Sequence, residues 1–238
     1  MNNFLGALLF LTTLPLPRKT NLEFMPDKIR PYFPLVGLLL GLIVASFDFF
    51  MSHIFPNSTV AWLDVIMLIF LTGALHLDGL ADTADGIFSH KSMEDKLKIM
   101  KDSRIGTMGV LAIVCVLGIK YFGIKGIDNN RFLIISLIPA YSRTSMVIAM
   151  KFLGYCRDMG TAKGFFASNV KLNEFILFAC IIFMSLCLGK DFFLLNSVFF
   201  ISTFLIIFYY KKTLGCITGD TLGCMCEVIE SILFLVLS

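Results

Sequence analysis

Long apolar runs separated by short polar segments set the pattern of this chain. They fall at about 32–50, 59–77, 106–124, 132–150, 174–189, 192–210 and 214–237. None alternates apolar and polar positions as a barrel strand would, so all read as helices. The 174–189 run is short, and Gly189-Lys190-Asp191 turns tightly into the next. An earlier run, Phe4 to Leu14, stops at Pro15 and Pro17 and predicts an interfacial or re-entrant helix, since it is too short to cross. The expected fold is therefore all-α: a polytopic integral membrane protein of about seven transmembrane helices plus that short N-terminal helix. No linker, low-complexity tract or internal repeat divides it, so residues 1–238 are expected to form one membrane-embedded domain.

Composition sharpens this reading. Hydrophobic residues make up 57% of the chain, charged residues only 16%, and 25 residues are Phe. The mean hydropathy of +0.85 is too high for a soluble domain of this length. The N-terminus has neither a basic region nor a small-residue cleavage site, so no removable signal peptide is expected. The seven cysteines lie mostly inside apolar runs without metal-ligand spacing. They are expected to be small core residues, with no disulfide framework and no structural zinc.

Charge fixes an orientation. Segments 18–31, 88–105, 151–173 and 209–213 hold fifteen Lys and Arg, and the opposite connections hold only Lys125, Arg131 and Lys190. By the positive-inside rule the richer loops face the cytoplasm, so the protein is expected in the cytoplasmic membrane with its active site on that side.

The candidate chemistry lies where the second run ends, at His76-Leu77-Asp78-Gly79-Leu80-Ala81-Asp82-Thr83-Ala84-Asp85-Gly86. Asp78, Asp82 and Asp85 follow i, i+4, i+7 spacing and share one helical face. Three carboxylates so crowded repel each other unless a cation intervenes, and hard oxygen ligands suit Mg²⁺ or Mn²⁺ better than zinc. The plainer alternative is an acidic, solvated helix end. His76, two residues before Asp78, is either a ligand or proton carrier, or an ordinary interfacial histidine.

Three further segments concentrate polar groups. Lys101-Asp102-Ser103-Arg104-Ile105-Gly106-Thr107-Met108-Gly109 enters the next run, where backbone N–H groups, the helix dipole and the Arg104 fork can hold an anion. The alternative is a basic loop resting on anionic lipid. Arg143 sits mid-run among Tyr141, Ser142, Thr144 and Ser145, placed to bind a substrate phosphate or to pair with Glu. Asp220, Glu227 and Glu230 interrupt the last run, and acids at membrane depth default to a functional reading. Gly37-Gly41-Ala45 and Gly215-Gly219-Gly223 read as close helix-packing stripes. With no Ser-His pair, nucleophile elbow or Walker loop, this set points to metal-assisted transfer of a phosphate to an alcohol, without a covalent enzyme intermediate.

Several blocks then carry a resemblance: Phe10 to Pro17, Tyr32 to Gly37, Leu71 to Gly86, Lys101 to Leu111, Pro139 to Met146, and Thr218 to Gly223 with Glu227. Together they resemble cobalamin synthase, the adenosylcobinamide-GDP ribazoletransferase family, in family order and to both termini. The resemblance implies Mg²⁺-dependent attack by α-ribazole or its 5′-phosphate on adenosylcobinamide-GDP, releasing GMP and forming adenosylcobalamin or its 5′-phosphate. It assigns Asp78, Asp82 and Asp85 to the metal and makes Asp82, Asp85 and Asp102 the catalytic set. Lys101, Arg104, Arg143, Asp220 and His76 would bind substrate. The implied partners are the two substrates and membrane lipid, with no nucleic acid and with homo-oligomerisation left open. Cys216 and Cys224 depart from the small residues usual there, which touches only the packing of the last helix. A more distant similarity to CDP-alcohol phosphotransferases offers a lipid acceptor instead, although Asp82 does not fit that family's spacing. A cation-coupled transporter is the alternative from another class.

Overall fold

A computed structural model of the protein describes residues 2–15, 25–157, 160 and 162–238. Leu16 and Pro17 of the first block that carries the resemblance, with Arg18 and Lys19 of the basic tally, lie outside the described residues. In chain order the helices are α1 (Asn2–Leu11), α2 (Pro26–Ile29), α3 (Phe33–Met51), α4 (Asn57–Thr72), α5 (Leu75–Ile87) and α6 (Met93–Ile99). They continue with α7 (Thr107–Gly126), α8 (Arg131–Phe152), α9 (Ile176–Ser185), α10 (Asp191–Thr213) and α11 (Gly219–Val236). The described residues form no named strand, and the all-helical expectation holds.

By length and composition four helical stretches can cross a membrane: Pro26–Met51, α7, α8 and α10. A fifth is added if the bent pair α4–α5 counts as one crossing. The seven runs read from hydropathy therefore do not all become straight crossings. The helical stretch Leu172–Leu188 is shorter, and α11 spans 18 residues but carries three acids. Apolar faces of α7 and α10 point outward, with Val114, Phe122, Phe193, Ile201, Leu205 and Phe208 all exposed, as a multi-pass membrane protein requires.

At the centre stands α8, buried on nearly every side from Ile134 to Met150. It packs against α3 and α11. The Gly37-Gly41 stripe of α3 does what its spacing implied. A Cβ on Gly37 would lie 2.6 Å from Ala140 Cα, and one on Gly41 would lie 2.7 Å from the Ser136 carbonyl carbon, so only glycine lets these helices meet. The polar cluster around Arg143 is thereby forced into the interior.

Three expectations need correction. The 59–77 run is not one helix, because it breaks after Thr72 and resumes as α5 at 91° to α4. Gly73 ends α4 in the left-handed conformation (φ 60°), and Ala74 N–H returns to the Ile69 carbonyl at 3.1 Å in a helix-ending turn. Thr13 then straps the broken end, with its N–H on the Leu71 carbonyl at 2.9 Å and its hydroxyl on Phe70 at 2.6 Å. Hydropathy could not show the break, since the apolar run continues past it to Leu77. Second, the last helix begins at Gly219, not at 214, and Gly215 lies outside it with φ 70°. Third, Cys156 and Cys216 form a disulfide with a Cα–Cα distance of 5.2 Å. The two flanking segments pair through Cys156 N–H to Ile217 O and Ile217 N–H to Gly154 O, both 2.9 Å, which brings the cysteines together across 60 residues of sequence.

Candidate active site

The site is built where α5 crosses α11. A Cβ on Gly79 would lie 2.7 Å from the Asp220 carbonyl oxygen, and one on Gly223 would lie 3.2 Å from His76 Cα. Glycine at both positions lets the two backbones touch and sets Asp220 beside the acidic face of α5. Most of α5 is buried, yet Asp78 is exposed and Asp82 and Asp85 are half-buried, so the i, i+4, i+7 spacing turns the acids out of the core. Asp78, Asp220 and Asp85 all repel the Asp82 carboxylate, while Arg157 attracts it.

The start of α11 is held by its own cap. Thr218 accepts from Thr221 N–H at 3.2 Å, and the Thr221 hydroxyl accepts from Thr218 N–H at 2.8 Å. Asp220 consequently sits in the first turn, where the helix dipole favours negative charge. Arg157 Nη2 donates to Asp220 Oδ2 at 2.7 Å, and the Thr218 hydroxyl donates to the same oxygen at 3.3 Å.

Arg157 is the site residue that sequence reading missed. It is the one arginine in 151–173, and its route to Asp220 runs through the Cys156–Cys216 link, which no local spacing reveals. Its second contact, with the Met100 carbonyl, is longer at 3.4 Å.

Asp85 has a more particular place than its spacing implied. Its two oxygens accept the N–H groups of Gly106 at 2.6 Å and Gly109 at 2.8 Å, at the entry of α7. Cβ atoms there would collide, lying 2.8 Å from the Asp85 carboxyl carbon at Gly106 and 2.6 Å from Oδ2 at Gly109. The N-terminus that looked ready for a substrate phosphate thus holds an anion of the protein itself. Asp102 and Arg104 sit further out, with Arg104 Nη2 2.6 Å from Asp102 Oδ2 and the Arg104 side chain 87% exposed. This guanidinium holds the Asp102 carboxyl down to about 2. Lys101 is exposed beside them.

Arg143 is spent inside the bundle. It is fully buried, pairs with Glu230 and donates to the Ser142 hydroxyl at 2.9 Å. Lys120 completes the group at 2.6 Å from Glu227 and 2.7 Å from Glu230. The intramembrane acids of the last run therefore divide: Glu227 and Glu230 close an interior network, and Asp220 faces the site.

A cavity of about 260 Å³ adjoins the acids. His76, Asp78 and Asp220 line it, together with apolar side chains that include Phe10, Phe33 and Phe165. Lys101, Arg104 and Arg143 are not among its lining residues. Every candidate donor around Asp82 is a hard carboxylate oxygen, and among the described residues no three acidic, His or Cys side chains converge into a closed cage. That donor set fits Mg²⁺, which is commonly held by one or two carboxylates and completed by substrate phosphates and water.

Fold and site together define a helical, membrane-type protein with a carboxylate-rich centre beside a cavity. The chain belongs to the cobalamin-5-phosphate synthase family, which matches it over residues 3–238. A relative from Desulforamulus reducens, named adenosylcobinamide-GDP ribazoletransferase, is 38% identical over 97% of this chain and 94% of its own length. One of the same name from Alkaliphilus metalliredigens is 35% identical over 100% of this chain and 96% of its own length. A third, from Thermoanaerobacter sp. (strain X514), is 35% identical over 94% and 92%. These relatives are enzymes, and this chain is an enzyme of their family. No solved structure matches it.

Proposed function

We propose that this protein transfers the adenosylcobinamide phosphate of adenosylcobinamide-GDP to a ribose hydroxyl of α-ribazole or its 5′-phosphate, releasing GMP. The observation that carries this reading is the meeting of Asp78, Asp82 and Asp220 with Arg157 at the α5–α11 crossing, in a chain matched nearly end to end by ribazoletransferases. An excess of carboxylates with a single guanidinium suits a substrate that arrives as a metal-bound diphosphate.

Asp78 and Asp82 would hold Mg²⁺, with the remaining lone pairs of Asp85 as a third source. When bound, the ion neutralises charge on the diphosphate during displacement. Arg157, released in part from Asp220, offers a planar donor fork to phosphate oxygens. Asp220 then stands free to accept the proton of the attacking hydroxyl as the new P–O bond forms and the bond to GMP breaks. Asp85, held by Gly106 and Gly109, fixes the loop that carries Lys101, Asp102 and Arg104 near the same end, where they receive the guanosine side of the diphosphate. His76 lines the acceptor's side.

The richer basic loops share the end of the bundle that holds Arg157 and Asp220, which supports a cytoplasmic site. The opposite end carries Arg131 clamped on Asp48 at 2.6 Å, a length of α8 away, or about 33 Å.

The test is GMP release by purified protein in detergent, given adenosylcobinamide-GDP and α-ribazole, with Mg²⁺ or with EDTA. The expected result is Mg²⁺-dependent GMP matched mole for mole by cobalamin. GMP made only when a lipid alcohol is supplied, or none from folded protein with any divalent metal, would overturn the reading.

A further inference from the structure

The cavity beside the acids has a character that phosphate chemistry does not need. One side is a cluster of three aromatic rings: Phe10 and Phe33 stack at 6.2 Å, and Phe165 meets them edge-on at 4.9 and 5.5 Å. Met146 and Met150 of α8 add polarizable, adaptable side chains to the lining. Phe165 is not a passing loop residue. The buried Arg30 guanidinium takes its carbonyl and those of Ser168 at 2.7 Å and Asn169 at 3.0 Å, and pairs with Glu174 at 2.6 Å. One buried arginine thereby fixes the short helical turn that carries the third ring.

A single polar side chain interrupts the apolar lining away from the carboxylates. His76 is 3% exposed, and its Nδ1 has no hydrogen-bond partner in the protein. A buried ring nitrogen without a partner in the protein is costly.

We infer that this cavity is the seat of the acceptor's base: a planar, fused aromatic heterocycle lying against the Phe10, Phe33 and Phe165 cluster and beside His76. The inference rests on the ribazoletransferase reading, because it is the acceptor nucleoside that brings such a base. Size supports the assignment: about 260 Å³ lies just below the usual range for small-molecule sites, ~300–1,000 Å³, and suits a two-ring base, whereas a corrinoid is far larger. Position supports it as well. Asp78 and Asp220 line the same cavity, so a base seated there carries its ribose hydroxyls toward the phosphate held at the acids. The methionines, which repack easily, allow substituents on the ring to vary.

Two measurements test this. Met150→Phe narrows the cavity without touching an acid. It is expected to raise KM for α-ribazole about tenfold while KM for adenosylcobinamide-GDP stays within twofold. An unchanged KM for α-ribazole, or a rise confined to adenosylcobinamide-GDP, would overturn the inference. The second measurement needs no turnover: a benzimidazole bearing an aryl azide is photolysed with the wild-type protein and the labelled peptides are mapped. Label within 146–150 or at Phe165, displaced by α-ribazole, supports the pocket even if the protein released no GMP. Label elsewhere, or label displaced by phospholipid and not by α-ribazole, refutes it even if GMP release is normal.

Discussion

Two groups of charges lie in this bundle, and they obey opposite rules. Deep in the core, Glu227 and Glu230 face Lys120 and Arg143, acids matched one for one by bases, all nearly inaccessible. At the α5–α11 crossing, Asp82 and Asp220 share one arginine, Asp85 is held only by backbone N–H groups, and Asp78 and Asp220 border a cavity. Balance marks structure, since a buried charge must find its counter-ion inside the protein. Imbalance fits the proposed function, in which the missing positive charge arrives with the substrate. Acidity at membrane depth was thus only half a signal, and the count of partners supplies the rest.

The sharpest way to break this comparison is to neutralise one member of each group. Asp82→Asn should cut GMP release by about 10³-fold or more, in the range seen when one electrostatic group is removed from a transfer site. Its melting temperature should stay level or rise, because a repulsive carboxylate has gone. Glu230→Gln should do the reverse. Stripping one acid from Lys120 and Arg143 leaves buried positive charge unmatched and should cost about 3–5 kcal/mol of stability, read as lost detergent-resistant protein. Activity per folded molecule should change far less. If both variants fail in the same way, the two groups are not distinct.

Smaller effects refine the picture. Opening the Cys156–Cys216 link by Cys216→Ser closes no cavity and removes no charge, but should lower stability by about 2–4 kcal/mol on loop-closure grounds. It should also raise KM for adenosylcobinamide-GDP, because Arg157 adjoins the link. Thermal melts with and without reductant check the first effect. Arg157→Lys keeps the charge and loses the fork, so the same KM should rise about tenfold with the melt unchanged. The least effect on folding belongs to Arg104→Gln, whose exposed pair with Asp102 contributes little to stability. Its KM for adenosylcobinamide-GDP should rise, and an unchanged KM would place the loop at the lipid surface instead of on the diphosphate.

The parts of the site that were legible in the sequence are those made by one helix. The face shared by Asp78, Asp82 and Asp85 follows from 3.6-residue periodicity alone, and the Gly37-Gly41 stripe announced its contact with α8. What crossed between segments was hidden. Both halves of the Asp85 clamp were visible, an acid and a glycine-rich helix entry, yet nothing in either half said that they would meet. Arg157 and the disulfide depend on pairing across 60 residues. The bend at Gly73 was written in a glycine but masked by hydropathy, which scores a broken and a straight helix alike. Arg143 showed the same limit: its depth and the option of a Glu partner were readable, and the choice of Glu230 over a substrate phosphate was not.

The central claim is that the acids of α5 lack a counter-charge because they are completed by a divalent ion and the substrate. The direct measurement is the Mg²⁺ dependence of GMP release in wild type and in Asp78→Asn, at equal folded protein. A saturating wild-type curve abolished by EDTA is predicted, with the Asp78→Asn curve displaced to Mg²⁺ concentrations at least tenfold higher. Superimposable curves, or release that persists in EDTA, would contradict it.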